Sequence, residues 1–200
     1  MEKFETIIST AVPLPIENID TDQVIPARFL KATSREGFGK HLFSDWRYKA
    51  DGSPNEKFAL NDKKFSGRIL IAGKNFGCGS SREHAAWALH DYGFRVIVSS
   101  FFADIFTSNA LNNGLLPLRV SESFLKKLTR WVESFSTAKI KVNLEEQSIE
   151  ILDLQVKEIF EIPAFKKNCL LNGYDDLDLL LSMQDEIKVY EQKSKYLRIR

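Results

Sequence analysis

Arg68-Ile69-Leu70-Ile71-Ala72, then Gly73-Lys74-Asn75-Phe76-Gly77-Cys78-Gly79, then Ser80-Ser81-Arg82-Glu83 is the stretch on which the fold turns. A short unbroken apolar run is the pattern of a strand buried on both faces. The glycine-rich turn and the polar residues after it open a helix running to about Tyr92, stopped by Gly93. Phe94–Val98 reads as the next buried strand, Ala103–Asn112 as a second helix closed by Asn113-Gly114, and Leu115–Val120 as a third strand. Strand, helix, strand, helix, strand at this spacing predicts an α/β fold with a parallel layer.

On the N-terminal side, Phe4–Val12 is rich in β-branched and aromatic residues and stops at Pro13-Leu14-Pro15, which predicts one opening strand and a turn. The segment from Asn18 to Pro26 is acidic and turn-rich. From Ala32 to Ser66 the chain is polar, with Gly37, Gly39, Gly52 and Pro54. Loops with a short helix around His41–Arg47 are expected there, in an insert that is functional or mobile. Beyond the parallel layer lie an amphipathic helix (Ser123–Ser134) and a hairpin pairing Lys139–Leu144 with Ser148–Leu152. A strand around Val156–Ile162 and helical stretches at Pro163–Leu171 and Asp175–Tyr190 complete the reading. The tail from Lys188 to Arg200 holds five basic residues against one acid and reads as a solvated end.

The 200 residues (22.9 kDa) carry 28 Lys+Arg against 27 Asp+Glu, a formal net charge of +1. That balance, without a basic stripe, argues against nucleic acid or an anionic membrane as partner. No basic-then-apolar leader follows Met1, and the longest nearly apolar stretch, Val96–Ala103, is far short of the ~20 residues of a membrane span. Two cysteines 91 residues apart, Cys78 and Cys169, offer neither a disulfide framework nor a zinc knuckle. A soluble, cytoplasmic protein is the expectation.

The loop from Gly73 to Arg82 is the richest in chemistry. Its glycines let a ligand approach the backbone, and it delivers two hydroxyls and a guanidinium to a helix start, where free N–H groups and the helix dipole favour an anion. Arg82 can hold a carboxylate through two parallel hydrogen bonds. Ser80-x-x-Glu83 also satisfies a capping box, so one hydroxyl can cap while its neighbour faces a ligand. Cys78 invites a nucleophile hypothesis through the low pKa of a thiol near a helix N-terminus. No histidine has a spacing that implies a dyad; His84 and His90 read as helix-packing residues and Cys169 as core. Asp20-Thr21-Asp22 reads as a turn before a metal site, since two carboxylates alone make a poor cage. Asn109, Asn112 and Asn113 read as helix-ending residues.

The run Asn18-Ile19-Asp20-Thr21-Asp22-Gln23-Val24-Ile25-Pro26-Ala27-Arg28-Phe29-Leu30 and the run Gly77-Cys78-Gly79-Ser80-Ser81-Arg82-Glu83-His84-Ala85 resemble the signatures of the small-subunit family of bacterial 3-isopropylmalate dehydratases, in the aconitase superfamily. Ser100–Phe106, Asn112–Pro117 and Phe165–Asp176 fit the same family. The resemblance implies a swivelling β/β/α domain like the mobile last domain of aconitase, spanning residues 1–200 with a helical C-terminal extension from about 163. It implies a heterodimer with a large subunit that carries a [4Fe–4S] cluster, and a hydro-lyase reaction of leucine biosynthesis in which 2-isopropylmalate loses water to isopropylmaleate and is rehydrated to 3-isopropylmalate. By the same resemblance Ser80 matches the base, Ser81 and Arg82 hold a substrate carboxylate, and Asp22 is an active-site aspartate. Arg28 matches a substrate-binding arginine at an offset position, and the region from Arg28 to Lys40 selects the isopropyl group. Three alternatives remain beside it. They are a related hydro-lyase acting on citraconate/methylmalate or homoaconitate, a non-catalytic carboxylate-binding module, and a thiol hydrolase built on Cys78.

Overall fold

The computed structural model describes residues 1–31 and 34–193. Its strands are β1 (Ile7–Ser9), β2 (Ala11–Leu14), β3 (Ile69–Ala72), β4 (Val96–Ser99), β5 (Leu116–Arg119), β6 (Ile140–Asn143), β7 (Ser148–Ile151) and β8 (Val156–Ile159). Its helices are α1 (Thr21–Val24), α2 (Ser44–Arg47), α3 (Glu83–Tyr92), α4 (Asp104–Asn112), α5 (Glu122–Ser134), α6 (Ala164–Asn172), α7 (Asp176–Ser182) and α8 (Gln184–Lys193).

The strands form two four-stranded sheets. One has the order β2-β3-β4-β5 with every pair parallel, and the other the order β1-β6-β7-β8 with every pair antiparallel. Side chains alternate across the parallel sheet, because successive residues of a strand point to opposite faces. Val12, Leu14, Leu70, Ala72 and Ile97 face a core shared with Ala85, Ala86 and Leu89 of α3 and Phe106 and Ala110 of α4. Ala11, Ile69, Ile71, Val96 and Val98 face a second core, with Ile140, Val142, Ile149 and Ile151 of the antiparallel sheet and Leu128 and Val132 of α5. The layers are therefore sheet, sheet, helices: the β/β/α arrangement. β3 and all of β4 but its last residue, Ser99, are apolar because both of their faces are covered, whereas β5 ends on the exposed Arg119.

The structure corrects two expectations. Phe4–Val12 is not one strand: the chain leaves the antiparallel sheet at Ser9 and joins the parallel one at Ala11. The break falls where Gly67 packs on the Thr10 backbone and the Ser9 hydroxyl accepts the Arg68 N–H at 2.9 Å. β2 then runs on through Pro13, tolerated because β2 is an edge strand paired on one side only. The long polar insert is also more ordered than its composition suggests. Phe38, Leu42, Phe43, Phe58 and Leu60 are buried in the helix-side core. Gly39 packs so closely on Tyr92 that a Cβ would overlap its backbone, and its N–H donates to Asp91 Oδ2 at 2.7 Å.

At the C-terminus, α6 is tied to the start of the chain by the Phe4 N–H to the Leu170 carbonyl at 2.9 Å and the Met1 ammonium to the Gly173 carbonyl at 2.6 Å. The stretch Asp175–Tyr190 is two helices interrupted at Met183, not one. Most of the basic tail, from residue 194 on, lies outside the described residues. Among the described residues no helix is long and apolar enough to cross a membrane.

Candidate active site

In a parallel sheet the loops that leave the carboxyl ends of neighbouring strands come together, and ligands bind in the crevice they make. Here the loop after β2 carries Asp20-Thr21-Asp22 and the loop after β3 carries Gly77 to Arg82. The two are laced into one unit. Gly77 N–H donates to the Ile19 carbonyl at 2.8 Å, Thr21 N–H to the Cys78 carbonyl at 2.9 Å, and the Thr21 hydroxyl to the Ser80 carbonyl at 2.8 Å. The loop after β4 joins them through the Ala103 N–H to the Phe76 carbonyl at 3.1 Å.

Two glycines make this close packing possible. Gly77 (φ +76°) lies against the Phe106 ring and Gly79 (φ +87°) against the Asp20 carboxylate, and a Cβ at either position would overlap its neighbour. Asp20 itself caps α1: its Oδ1 accepts the Asp22 N–H at 2.7 Å while Gln23 Oε1 accepts the Asp20 N–H at 2.8 Å. The first aspartate of the motif is thus a structural cap, which leaves Asp22 to look outward. Asp22 forms an ion pair with Arg82 across a sequence gap of 60 residues, and the same guanidinium nitrogen donates to the Ile25 carbonyl at 3.2 Å. The Arg82 side chain is only 12% exposed, so its orientation is set by these contacts.

The capping-box reading of Ser80 is overturned. α3 begins at Glu83, its N-cap position is Arg82, and no side chain caps it. Glu83 is engaged elsewhere, its Oε1 accepting from Trp87 Nε1 and Asn113 Nδ2 at 3.1 Å each and from Arg35 at 3.4 Å. The Ser80 hydroxyl takes no hydrogen bond among the described residues, and Ser80 and Ser81 are both exposed. Asn113, read as a helix-ending residue, is a buried link in the Glu83 network; no local pattern in the sequence signals a contact 30 residues away.

Arg28 is not brought to this cluster. Its guanidinium donates to Asp45, with Nη1 to Oδ2 at 3.1 Å, and to the Ser44 hydroxyl at 3.1 Å. There it lines a separate cavity with Phe29, Lys40, His41 and Tyr48. The Asp45 carboxyl is held below its usual range by that hydrogen bond, and the His41 imidazole, stacked on Phe29 with centroids 3.9 Å apart, is lowered by burial and by Lys40 and Arg28. Burial also lowers His90, while His84 packs on Trp87 at 4.5 Å.

Cys78 behaves contrary to the nucleophile hypothesis: burial, and then the Asp20 carboxylate, raise its thiol pKa, and its Sγ donates to the Asn18 carbonyl at 3.4 Å. The second thiol, Cys169, is buried on α6. An iron–sulfur cluster takes three or four thiolates. Two thiols, one on the loop after β3 and one on α6, do not fit that donor set, and among the described residues no group of three His, Cys, Asp or Glu could hold a metal ion.

What the arrangement can do is hold a carboxylate on Arg82 and the open start of α3, beside an exposed hydroxyl on a rigid glycine turn. Residues 1–123 match the family of the aconitase C-terminal domain. The chain is 61% identical over 199 residues to the 3-isopropylmalate dehydratase small subunit of Cytophaga hutchinsonii, covering 100% of this chain and 99% of that one. To the protein of the same name from Christiangramia forsetii it is 58% identical over 195 residues, covering 98% and 95%. Its structure is similar to the crystal structure of a 3-isopropylmalate dehydratase from Methanocaldococcus jannaschii, with a TM-score of 0.65, 26% identity, and coverage of 93% of this chain and 99% of that one. With its two signature loops interlocked at the ends of β2 and β3, and with relatives alike from end to end, the chain belongs to the 3-isopropylmalate dehydratase small-subunit family.

Proposed function

We propose that this chain works in the cytoplasm as one half of a shared active site. Residues 1–200 act as a single swivelling domain, helical from about 163, that closes on a large subunit carrying a [4Fe–4S] cluster. The complex interconverts 2-isopropylmalate and 3-isopropylmalate through isopropylmaleate, in leucine biosynthesis. One observation carries the reading: an exposed Ser80 hydroxyl, without a hydrogen bond among the described residues, stands two residues from a guanidinium held ready by Asp22.

In this proposal Arg82 and Ser81 bind a substrate carboxylate and set the substrate's orientation, while Asp22 keeps Arg82 aimed. Ser80, as its alkoxide, takes the C–H proton from the carbon next to the one that loses hydroxide, and the double bond forms between them. In the return direction the serine gives that proton back. A serine hydroxyl is normally protonated at neutral pH, so the anion must be stabilised by oriented donors. In this proposal the donors are backbone amides of the glycine turn and of the uncapped start of α3, which adjoin Ser80 in the chain. Departure of hydroxide needs an electrophile, and the partner's cluster is assigned that part. Arg28, held by Asp45, keeps only the role of shaping the segment that would select the isopropyl group.

The test is hydration of isopropylmaleate by the purified chain, alone and with an anaerobically reconstituted large subunit. Activity in the mixture only is expected; activity of the chain alone would refute the shared-site reading. In the mixture Ser80→Ala should lower kcat by on the order of 10²–10⁴-fold with association unchanged. An unaltered kcat would remove Ser80 as the base. A panel including citraconate and homoaconitate separates the neighbouring hydro-lyases.

A further inference from the structure

The C-terminal helices carry a feature that the active-site reading leaves unused. On α7, Leu179 is buried at 5% exposure. Leu177, Leu180 and Leu181, spaced to share one stripe on the side away from Leu179, are 64%, 57% and 59% exposed. Ile187 and Tyr190 extend the apolar surface along α8. Single exposed apolar residues need no explanation, but a run of them on one helical pair marks an interaction site.

We infer that this face is where the chain docks on its large subunit; the inference rests on the shared-site reading above. The match to the aconitase C-terminal domain ends at residue 123, well before α7. A domain at the end of a longer chain is held to the rest by that chain, at an effective concentration that a linker keeps high. A separate small subunit has no such tether and must replace it with buried surface. The exposed leucine stripe lies beyond that match, and relatives named as small subunits are matched over 98–100% of this chain, α7 and α8 included.

Position agrees. Asp175, just before α7, lines a cavity of about 340 Å³ with Arg35 and Trp87. Arg35 bonds Glu83, the neighbour of Arg82, so the face begins one cavity away from the active-site turn. Charge narrows the partner surface. From Asp175 to Glu186 the sequence holds five carboxylates and no Lys or Arg. The complementary surface is an apolar groove rimmed by Lys and Arg on the large subunit.

The experiment is the affinity of the full chain for the large subunit, by titration calorimetry, for wild type, Leu177→Gln/Leu181→Gln and Leu177→Met/Leu181→Met. The glutamine pair should melt as wild type does, because both positions are exposed in the isolated chain. Its Kd should rise by about 10-fold or more, as for truncated interface anchors, and the methionine pair should stay near wild type. At saturating large subunit the glutamine variant should recover full kcat. An unchanged Kd overturns the inference, and so does a wild-type chain that does not bind the large subunit. A wild-type homodimer that the glutamine pair dissolves, with Kd for the large subunit unchanged, overturns it in favour of a second copy. A complex that forms through this face but does not hydrate isopropylmaleate supports docking and removes the shared-site reading.

Discussion

Thr21 offers the sharpest probe of how the two loops create the site. Its side chain is buried, and its hydroxyl donates to the Ser80 carbonyl at 2.8 Å while its N–H holds the Cys78 carbonyl at 2.9 Å. Thr21→Val keeps the shape and the backbone bond and removes only the hydroxyl. The loss of one neutral hydrogen bond costs about 0.5–1.5 kcal/mol, toward the low end here because the exposed Ser80 peptide can turn to water. For a chain of this length that is a fall in Tm of about 2–4 °C per kcal/mol. The effect on chemistry should be larger than the effect on stability. A reacting group displaced by about 1 Å can cost on the order of 10²-fold in rate, and the valine variant would leave the Ser80 peptide free to shift.

The expected result is therefore a small drop in Tm by scanning fluorimetry together with a kcat lowered by about 10–100-fold in the assembled enzyme. KM should move less, because the Asp22–Arg82 pair does not depend on the Thr21 hydroxyl. Thr21→Ser, which keeps the hydroxyl and discards the methyl, should restore kcat while melting no higher than Thr21→Val. A Tm that falls with kcat unchanged would mean that the hydroxyl is a strut with no bearing on Ser80. A serine variant as slow as the valine one would mean that packing, not the hydrogen bond, sets the geometry.

Two further outcomes follow from the same structure. Gly79→Ala meets both a left-handed backbone (φ +87°) and the Asp20 carboxylate, whereas Gly52→Ala meets a left-handed backbone (φ +81°) in open space. The backbone term, about 1–2 kcal/mol, is common to both; the loss of the Asp20 cap, about 1 kcal/mol more, belongs to Gly79 alone. Gly79→Ala should thus melt lower than Gly52→Ala, and equal Tm values would refute the close contact. His90 titrates below its ordinary value of 6.5 because of burial. Between its folded value and 6.5 the unfolded chain binds more protons, so stability rises with pH through that window and is lost as pH falls below about 6.5. Carboxylates held low by partners, such as Asp45 by Arg28 and Glu146 by Lys157, lose their contribution only further down, as pH falls through their folded values. His90→Gln should flatten the Tm profile just below pH 6.5, and an equally steep profile would exclude His90 as the cause.

The parallel core from β3 to β5 was legible because a strand covered on both faces reads as a short apolar run, as in Ile69–Ala72 and Val96–Val98, and glycine or asparagine closes each helix between. The sheet change at Thr10 was not, since a strand that leaves one sheet for another keeps the same β-branched residues and the break depends on Gly67, far along the chain. Helix α3 begins two residues later than the capping box suggests, because Glu83 satisfies itself on Trp87, Asn113 and Arg35. Those partners lie 4, 30 and 48 residues away, and only the first is within reach of a sequence pattern. The buried phenylalanines of the 34–66 segment escaped notice for a related reason: turns bury them one at a time, with neither the period of a strand nor that of a helix.

Asp22 and Arg82 show how much the site owes to contacts that no spacing reveals. Alone, an arginine after two serines could belong to a cap or a solvated surface; its burial to 12% exposure and its bonds to Asp22 and the Ile25 carbonyl make it a fixed donor. Both bonds use one terminal nitrogen, Nη1. Its Nη2 and Nε make no hydrogen bond among the described residues, so one edge of the fork is left for a carboxylate. In the shared-site reading proposed above, the Asp22 charge that aims this fork also opposes an incoming anion, so the isolated chain is expected to bind substrate weakly. The rest of the affinity then falls to the opposite surface, and the expected order is assembly with the large subunit first and capture of substrate second.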